Sequence, residues 1–428
     1  MNRLQRRVMT VAATAVVVVL AAAASSGAAS RHSAEDIRGQ TITVLVPYKI
    51  PPEVISSFTK ATGVKVNYVV TGWDATHSKL VVANTARTYI ADVAEFDWSF
   101  TGQFAGAKWV EPLDDLLPKP LLADLASTDA AFKGAGGKTY AACFSNDFRI
   151  SIYNKKLFAK AGITSFPRTF TELGQAAEKL KAAGVKYPLS IPMSATEGGV
   201  TPWYLLTLAH GGQLFDANFK PTFQKPGSAG YKALQWEVLA VKKGWVSPGA
   251  VSLEDAAAFD KFTAGQTAIV LATGSGNLAT ANDPKESSVA GQAVGALVPG
   301  VNGPQASFGL PEGLSIPVTA KHKAAAAAFI QWWQKPANAI SIYKKFGNLP
   351  CGASVIKQLA ASGQLQGGKV LAAELKLVKP LFPQGAPVWY SQFSSDAQGL
   401  LNAAVKGQMS VGDALSQLAT KATAHATA

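Results

Sequence analysis

Between Thr41 and Phe96 the chain switches repeatedly between two periods. TITVLVP (41–47) is an apolar strand pattern that stops at a proline. PPEVISSFTKATG opens with Pro51-Pro52, suits a helix and ends at Gly63. VKVNYVV (64–70) is a second strand, TGWDATHSKLVVANTA turns into a second helix, and ADVAEF (91–96) is a third strand. Strand, helix, strand, helix at this spacing predicts a parallel α/β sheet. In open sheets of that kind, ligands bind at the carboxyl ends of the strands. Those ends carry Tyr48, then Trp73 with Asp74, then Asp97 with Trp98. Aromatic side chains therefore recur at one edge of the expected sheet.

The first thirty residues have the three parts of a secretory signal. Arg3, Arg6 and Arg7 precede an apolar run from Met9 to Ala24, and small residues follow. The run is shorter than the ~20 residues needed to span a bilayer, and no cysteine is present for lipid attachment. Removal of residues 1–30 is expected, leaving about 398 residues, enough for two domains or one bilobal unit. The formal charge of +13 falls to about +10 without the signal. The basic residues are scattered as pairs such as Lys155-Lys156, with no block interleaved with aromatics, so nucleic acid is not an expected partner. The five histidines are dispersed, and no Cys/His spacing points to a metal. Two cysteines, Cys143 and Cys351, in an oxidising compartment fit either one disulfide or two buried thiols.

Further along, FPRTFTELGQAAEKLKAAGV predicts a helix from Thr169 or Thr171, and TPWYLLTLAHGGQLFD an apolar helix that stops at Gly211-Gly212. FTAGQTAIVLATGSGNLA gives a helix end, a strand and a glycine-rich loop. The segment around Trp332 and Trp333 reads as a core helix, and VWYSQFSSDAQGLLNAAVKGQMSVGDALSQLATKA as two helices. GSGNLA fits a dinucleotide fingerprint but lies deep in the chain rather than after the first strand, and no G-x-S-x-G elbow occurs. Asp97 and Asp147 are the pair that a glycosidase reading would use. No enzyme activity and no cofactor are expected.

In combination, several segments resemble one family along nearly the whole mature chain. They are TGVKVNYVV, ADVAEFDWSFTGQFAGAKWVEPLDDLL, GKTYAACFSNDFRISIYNKKLFAKAGI with FPRTFTEL, FTAGQTAIVLATGS, GLSIPVTAKHKAAAAAFIQWW and GNLPCGASV. The chain resembles the family 1 extracellular solute-binding proteins of ABC importers, the group that includes maltodextrin-binding proteins. The resemblance implies an α/β, two-lobed periplasmic binding-protein fold with hinge strands that cross between the lobes. The first lobe would span 31–145 and 312–348, and the second 146–311 and 349–428. It implies a monomer that captures a sugar or oligosaccharide and presents it to a membrane permease. A phosphorylated polyol or other small anion is the alternative ligand, motivated by the net charge and by Arg149.

On this resemblance Asp97 and Trp98 take first-lobe ligand positions, with Tyr48 and Trp73 at the earlier strand ends. Asp147 occupies the hinge position where the family often has an acid. Trp203, Ser275, Asn277, Gly313 and Trp389 complete the expected ligand set: Asp97, Asp147 and Asn277 on hydroxyls, Trp98, Trp203 and Trp389 on ring faces. Sugars present both an apolar C–H face and fixed hydroxyl arrays, which is why aromatic platforms and carboxylates occur together in such sites. The resemblance also sets Cys143 and Cys351 on neighbouring hinge segments. The family usually has a proline or small residue near 143, so the pairing is not carried over from it.

Overall fold

A computed structural model describes residues 37–427 except 48, 49, 51, 72, 135, 347 and 366. The expected signal segment and Tyr48 lie outside the described residues. The chain forms two compact units, 37–94 with 319–332, and 95–318 with 333–427.

The first unit follows the alternation read from the sequence: β1 (Thr41–Val46), α1 (Pro52–Thr62), β2 (Lys65–Val70), α2 (Trp73–Thr85) and the start of β3 (Val93–Asp97). β1 is central and parallel to both neighbours, with Thr41 opposite Lys65 and Val44 opposite Val93. α1 buries Val54 and Phe58. Phe58 meets Phe329 and Trp332 of the helix Lys323–Gln334 edge-on, at 5.0 and 5.7 Å between centroids. Fully buried Asp92 ties the layers together. Its Oδ2 accepts from the Thr43 amide, and its Oδ1 accepts from the amides of Lys321 and His322, all at 2.9 Å. Three charge-assisted bonds of this kind are what makes a buried carboxylate tolerable.

The second unit begins with the end of β3 and a short 3₁₀ turn, Trp98–Phe100, that leads into α3 (Thr101–Gly106). Its further strands are β4 (Ala142–Ser145), β5 (Arg149–Asn154), β6 (Leu189–Ser190), β7 (Ile269–Gly274), β8 (Ala293–Ala296), β9 (Ser307–Phe308), β10 (Glu312–Ser315) and β11 (Val378–Lys379). Four of them form a sheet in the order β6-β7-β5-β8, with β5 antiparallel to both neighbours. β4 pairs antiparallel with β10, and β11 lies parallel to β9. The helices α4 (Glu197–Ala209), α5 (Ala229–Lys242), α6 (Asp255–Thr263), α7 (Tyr390–Val405) and α8 (Val411–Thr427) pack around this frame. The helix expected near Thr169 runs Phe170–Ala182. Thr169 Oγ1 accepts from the Glu172 amide and Glu172 Oε2 accepts from the Thr169 amide, both at 3.1 Å, which closes a capping box.

Cys143 on β4 is disulfide-bonded to Cys351, 208 positions further along the chain. The two strands of chain also share the Asn146 amide bond to the Leu349 carbonyl, at 3.0 Å. Around β4, the Trp333 indole donates to Phe144 O at 3.2 Å, and Gln334 Nε2 donates to Cys143 O. Trp332 and Trp333 are buried, as expected of core residues. Among the described residues no helix is long and apolar enough to cross a membrane.

Glu237 lies buried in α5, and its Oε1 has no hydrogen-bond partner. Burial pushes its carboxyl up to about 8. The folded chain therefore keeps a proton that the unfolded chain loses near 4.5, so stability falls as pH rises between those values. Glu237→Gln is expected to flatten the curve by about 1.4 kcal/mol per pH unit in that window and to raise stability at pH 8. Urea midpoints at pH 5 and pH 8 for both proteins provide the check.

Candidate functional site

The site grows from the end of β3. Asp97 Oδ1 accepts from the Ser99 amide at 2.8 Å and caps the 3₁₀ turn, which fixes where the chain goes as it leaves the sheet. The next side chain, Trp98, is buried between two rings. It stands edge-on to Tyr390 at 4.8 Å and to Phe308 at 5.4 Å. The expected adjacency of a carboxylate and an indole thus has two jobs in the fold, one capping and one packing.

Tyr390 opens α7, and one turn later Ser394 points the same way. Both hydroxyls donate to the carboxylate of Glu197, the first residue of α4, Tyr390 to Oε1 and Ser394 to Oε2. The Tyr204 hydroxyl lies 3.3 Å from that of Tyr390. Burial raises the Glu197 pKa, and the hydroxyl bonds pull it back.

A polar cluster adjoins this one. β9 carries both Phe308, against Trp98, and Ser307, whose Oγ donates to Arg149 O at 2.8 Å. Gly198, the residue after Glu197, approaches Asp255 so closely that a Cβ there would lie 3.3 Å from the Asp255 Cβ. Asp255 Oδ2 accepts from Arg149 Nη1 at 2.8 Å, and Asp147 Oδ2 lies 3.8 Å from Arg149 Nη2. Asp147 Oδ1 also accepts from the Ser275 amide at 3.2 Å, while Ser275 Oγ donates to Asn146 O at 3.3 Å. Desolvation raises the Asp147 pKa, Arg149 opposes the rise, and Asp255 adds to it.

The backbone of β7 is shaped for this cluster. Two residues of β7, Leu271 and Ala272, face the single residue Ser151 on β5, which makes a β-bulge. Ala272 takes φ +61°, a conformation that costs a residue with a Cβ about 1–2 kcal/mol. Its carbonyl accepts from Arg149 Nη1 at 3.4 Å. Gly274 follows, and a Cβ there would stand 2.9 Å from Asp147 Oδ1. The absence of a side chain at 274 is what admits the carboxylate.

A third group of acids lies at the strand ends. Glu95 on β3 is fully buried, and neither carboxyl oxygen has a hydrogen-bond partner. Burial first, then the charges of Asp97 and Glu312, hold its pKa well above the ordinary range. Beside Asn146 there is a cavity of about 70 Å³, lined also by Thr128, Gly309, Pro311 and Val378.

The expected site residues separate into three groups. Asp97, Trp98, Asp147 and Ser275 belong to the constellation just described. Asn277 stands at its margin, with Nδ2 donating to Thr273 Oγ1 at 2.7 Å. Trp203, Trp389 and Gly313 are packed against protein in this structure. Trp203 is fully buried, and its indole donates to Gly230 O at 2.8 Å, so neither its face nor its N–H is available. Trp389 lies among Phe215, Phe219 and Phe393, with centroids 5.4, 5.7 and 6.3 Å away. Gly313 faces Phe132 and Ala141, where a Cβ would be 2.9 and 2.8 Å from their atoms. The backbone of Trp73 opens α2, but its side chain, like all of Tyr48, lies outside what is described.

Sequence reasoning singled out Tyr390 beside Trp389 as a late aromatic platform, but not Glu197, Asp255 or Phe308, which the structure places in this constellation. The signal for Glu197 was its place directly after the helix cap Thr196, in TEGG.

Comparison with known proteins bears on this geometry. The family model for bacterial extracellular solute-binding proteins matches residues 38–340. A mannitol-binding protein from Pseudomonas aeruginosa PAO1 is 30% identical over 333 residues, covering 72% of this chain and 74% of the relative. Two crystal structures share the fold. An ABC transporter solute-binding protein from Thermotoga lettingae TMO, bound with α-D-tagatose, is 22% identical at a TM-score of 0.80, with 91% of this chain and 100% of that one covered. One from Agrobacterium vitis S4 with bound D-mannitol is 23% identical at a TM-score of 0.74, with 90% and 98% covered. These likenesses show the α/β, two-lobed periplasmic binding-protein fold.

Proposed function

The chain belongs to the bacterial extracellular solute-binding proteins, and from that premise we propose that it captures a neutral monosaccharide or polyol and delivers it to the permease of an ABC importer. The observation that carries the ligand class is the state of Arg149. Its guanidinium sits between Asp147 and Asp255, so its charge is already answered. Glu95, Asp97 and Glu312 form a second group of carboxyls at the strand ends, and Glu197 stands with Tyr390 at the start of α4. Such surroundings disfavour a phosphate or other anion, despite the basic balance of the whole chain. They suit hydroxyls, from which carboxylates accept hydrogen bonds. Trp98 and Tyr390 supply the aromatic edges for the C–H surface of the ligand. The name of the 30%-identical mannitol-binding relative supports a small polyol.

On this reading the N-terminal segment directs export and the mature protein works as a periplasmic monomer. Its lobes are 31–145 with 312–348, and 146–311 with 349–428. Contacts from both lobes would favour a closed state that the permease recognises.

Glu197→Gln and Asp147→Asn are each expected to lower affinity for the cognate sugar or polyol at least tenfold, since a hydrogen bond to a charged partner is worth about 1.5–3 kcal/mol. Titration calorimetry with D-mannitol, D-tagatose and D-glucose would measure this. Unchanged affinity in both variants would remove these residues from the site.

A further inference from the structure

Gly102 and Gly106 stand four residues apart on α3 and therefore share one side of it. A Cβ at Gly102 would lie 2.2 Å from Pro387 O and 2.4 Å from Ala386 O. One at Gly106 would lie 2.7 Å from Val388 Cγ1. The first pair of contacts is to backbone, which cannot swing aside as a flexible side chain can. Only glycine at 102 permits this approach.

The position of the contact in the chain gives it its meaning. α3 follows directly from the turn that holds Trp98, and 386–388 leads directly into Tyr390. The glycine contact and the 4.8 Å ring contact are thus two parts of one meeting of the same segments. A sugar ring held between two aromatic faces needs roughly 7–8 Å between them, because each carbon–carbon contact takes about 3.5–4.0 Å. With the glycines seated, Trp98 and Tyr390 leave less than that.

We propose that Gly102 and Gly106 form the stop that sets how far the site closes, and that they thereby determine the size of ligand it accepts. With this stop the site takes a thin polyol or one ring beside the Trp98–Tyr390 pair, and rejects a ring sandwiched between them. The glycines act as positioning residues through Trp98 and Tyr390, and the size limit rests on the sugar or polyol reading above.

The test uses the mature, oxidised protein with spin labels at Lys108→Cys and Gln392→Cys, both exposed. Gly102→Ala should lengthen the inter-label distance and lower affinity for D-mannitol at least tenfold, with a smaller loss for maltotriose. Gly106→Ala should do the same more mildly, and adding Val388→Ala should reverse it, because the obstructing Cγ1 is then gone. Gly399→Ala, on α7 with open space around it, should change neither quantity. An unchanged distance in both glycine variants, or no rescue by Val388→Ala, overturns the stop. A distance that grows in a protein that binds none of these sugars supports the stop and overturns the ligand reading instead. If Gly102→Ala does not fold, the Gly106→Ala and Val388→Ala pair decides alone.

Discussion

The mature chain with Cys143→Ser and Cys351→Ser is expected to be about 5 kcal/mol less stable than the oxidised wild type. The bond joins residues 208 positions apart, and closing so long a loop in the unfolded chain removes an entropy equivalent to about 5 kcal/mol in the chain-entropy model. Both sulfurs are buried, and the Asn146–Leu349 hydrogen bond beside them keeps the segments aligned after the bond is lost. The loss should therefore reside mainly in the unfolded state, with the fold retained. Urea unfolding with and without reductant measures it. A difference below about 1 kcal/mol would mean that the segments are held by their surroundings rather than by the bond.

Arg149→Met should cost about 3 kcal/mol at neutral pH, within the range for breaking a buried ion pair on one side. The guanidinium is well buried, whereas Asp147 and Asp255 keep side-chain exposures of 29% and 35%, which places the effect at the lower end of that range. Without Arg149 the two acids face one another, and the Asp147 pKa rises further. The destabilisation is present while Asp147 is ionised and fades as pH falls through its raised folded pKa. Adding Asp255→Asn to Arg149→Met should recover part of the loss. Urea midpoints at pH 7 and pH 4 for the three proteins check both points. Equal destabilisation at the two pH values would show that packing of the Arg149 side chain, not its charge, is what matters.

The parts of the molecule that could be read from the sequence are those set by local pattern. β1 to β3 follow from alternating apolar runs, and the helix Phe170–Ala182 from its capping box. Asp97 and Trp98 stood out because a strand pattern ends there. What local pattern does not carry is helix phase and the identity of distant partners. Trp389 and Tyr390 are neighbours at a helix start, and both have ring or hydroxyl partners four residues on, Phe393 and Ser394. Only the fold shows that the first pair turns to Phe215 and the second to Glu197. Gly313 read as a ligand approach because its true neighbour, Phe132, lies far away in sequence. Trp203 read as a platform because an apolar helix does not reveal which of its faces is covered. Arg149 suggested an anion until Asp255, more than a hundred residues on, was found against it.

The most direct measurement is titration calorimetry of the mature, oxidised protein against D-mannitol, D-tagatose and D-glucose alongside mannitol 1-phosphate and maltotriose. The account predicts saturable binding of at least one neutral small sugar or polyol, with its phosphorylated form bound at least tenfold more weakly. Binding of the phosphate alone, or of none of the neutral ligands, would contradict it.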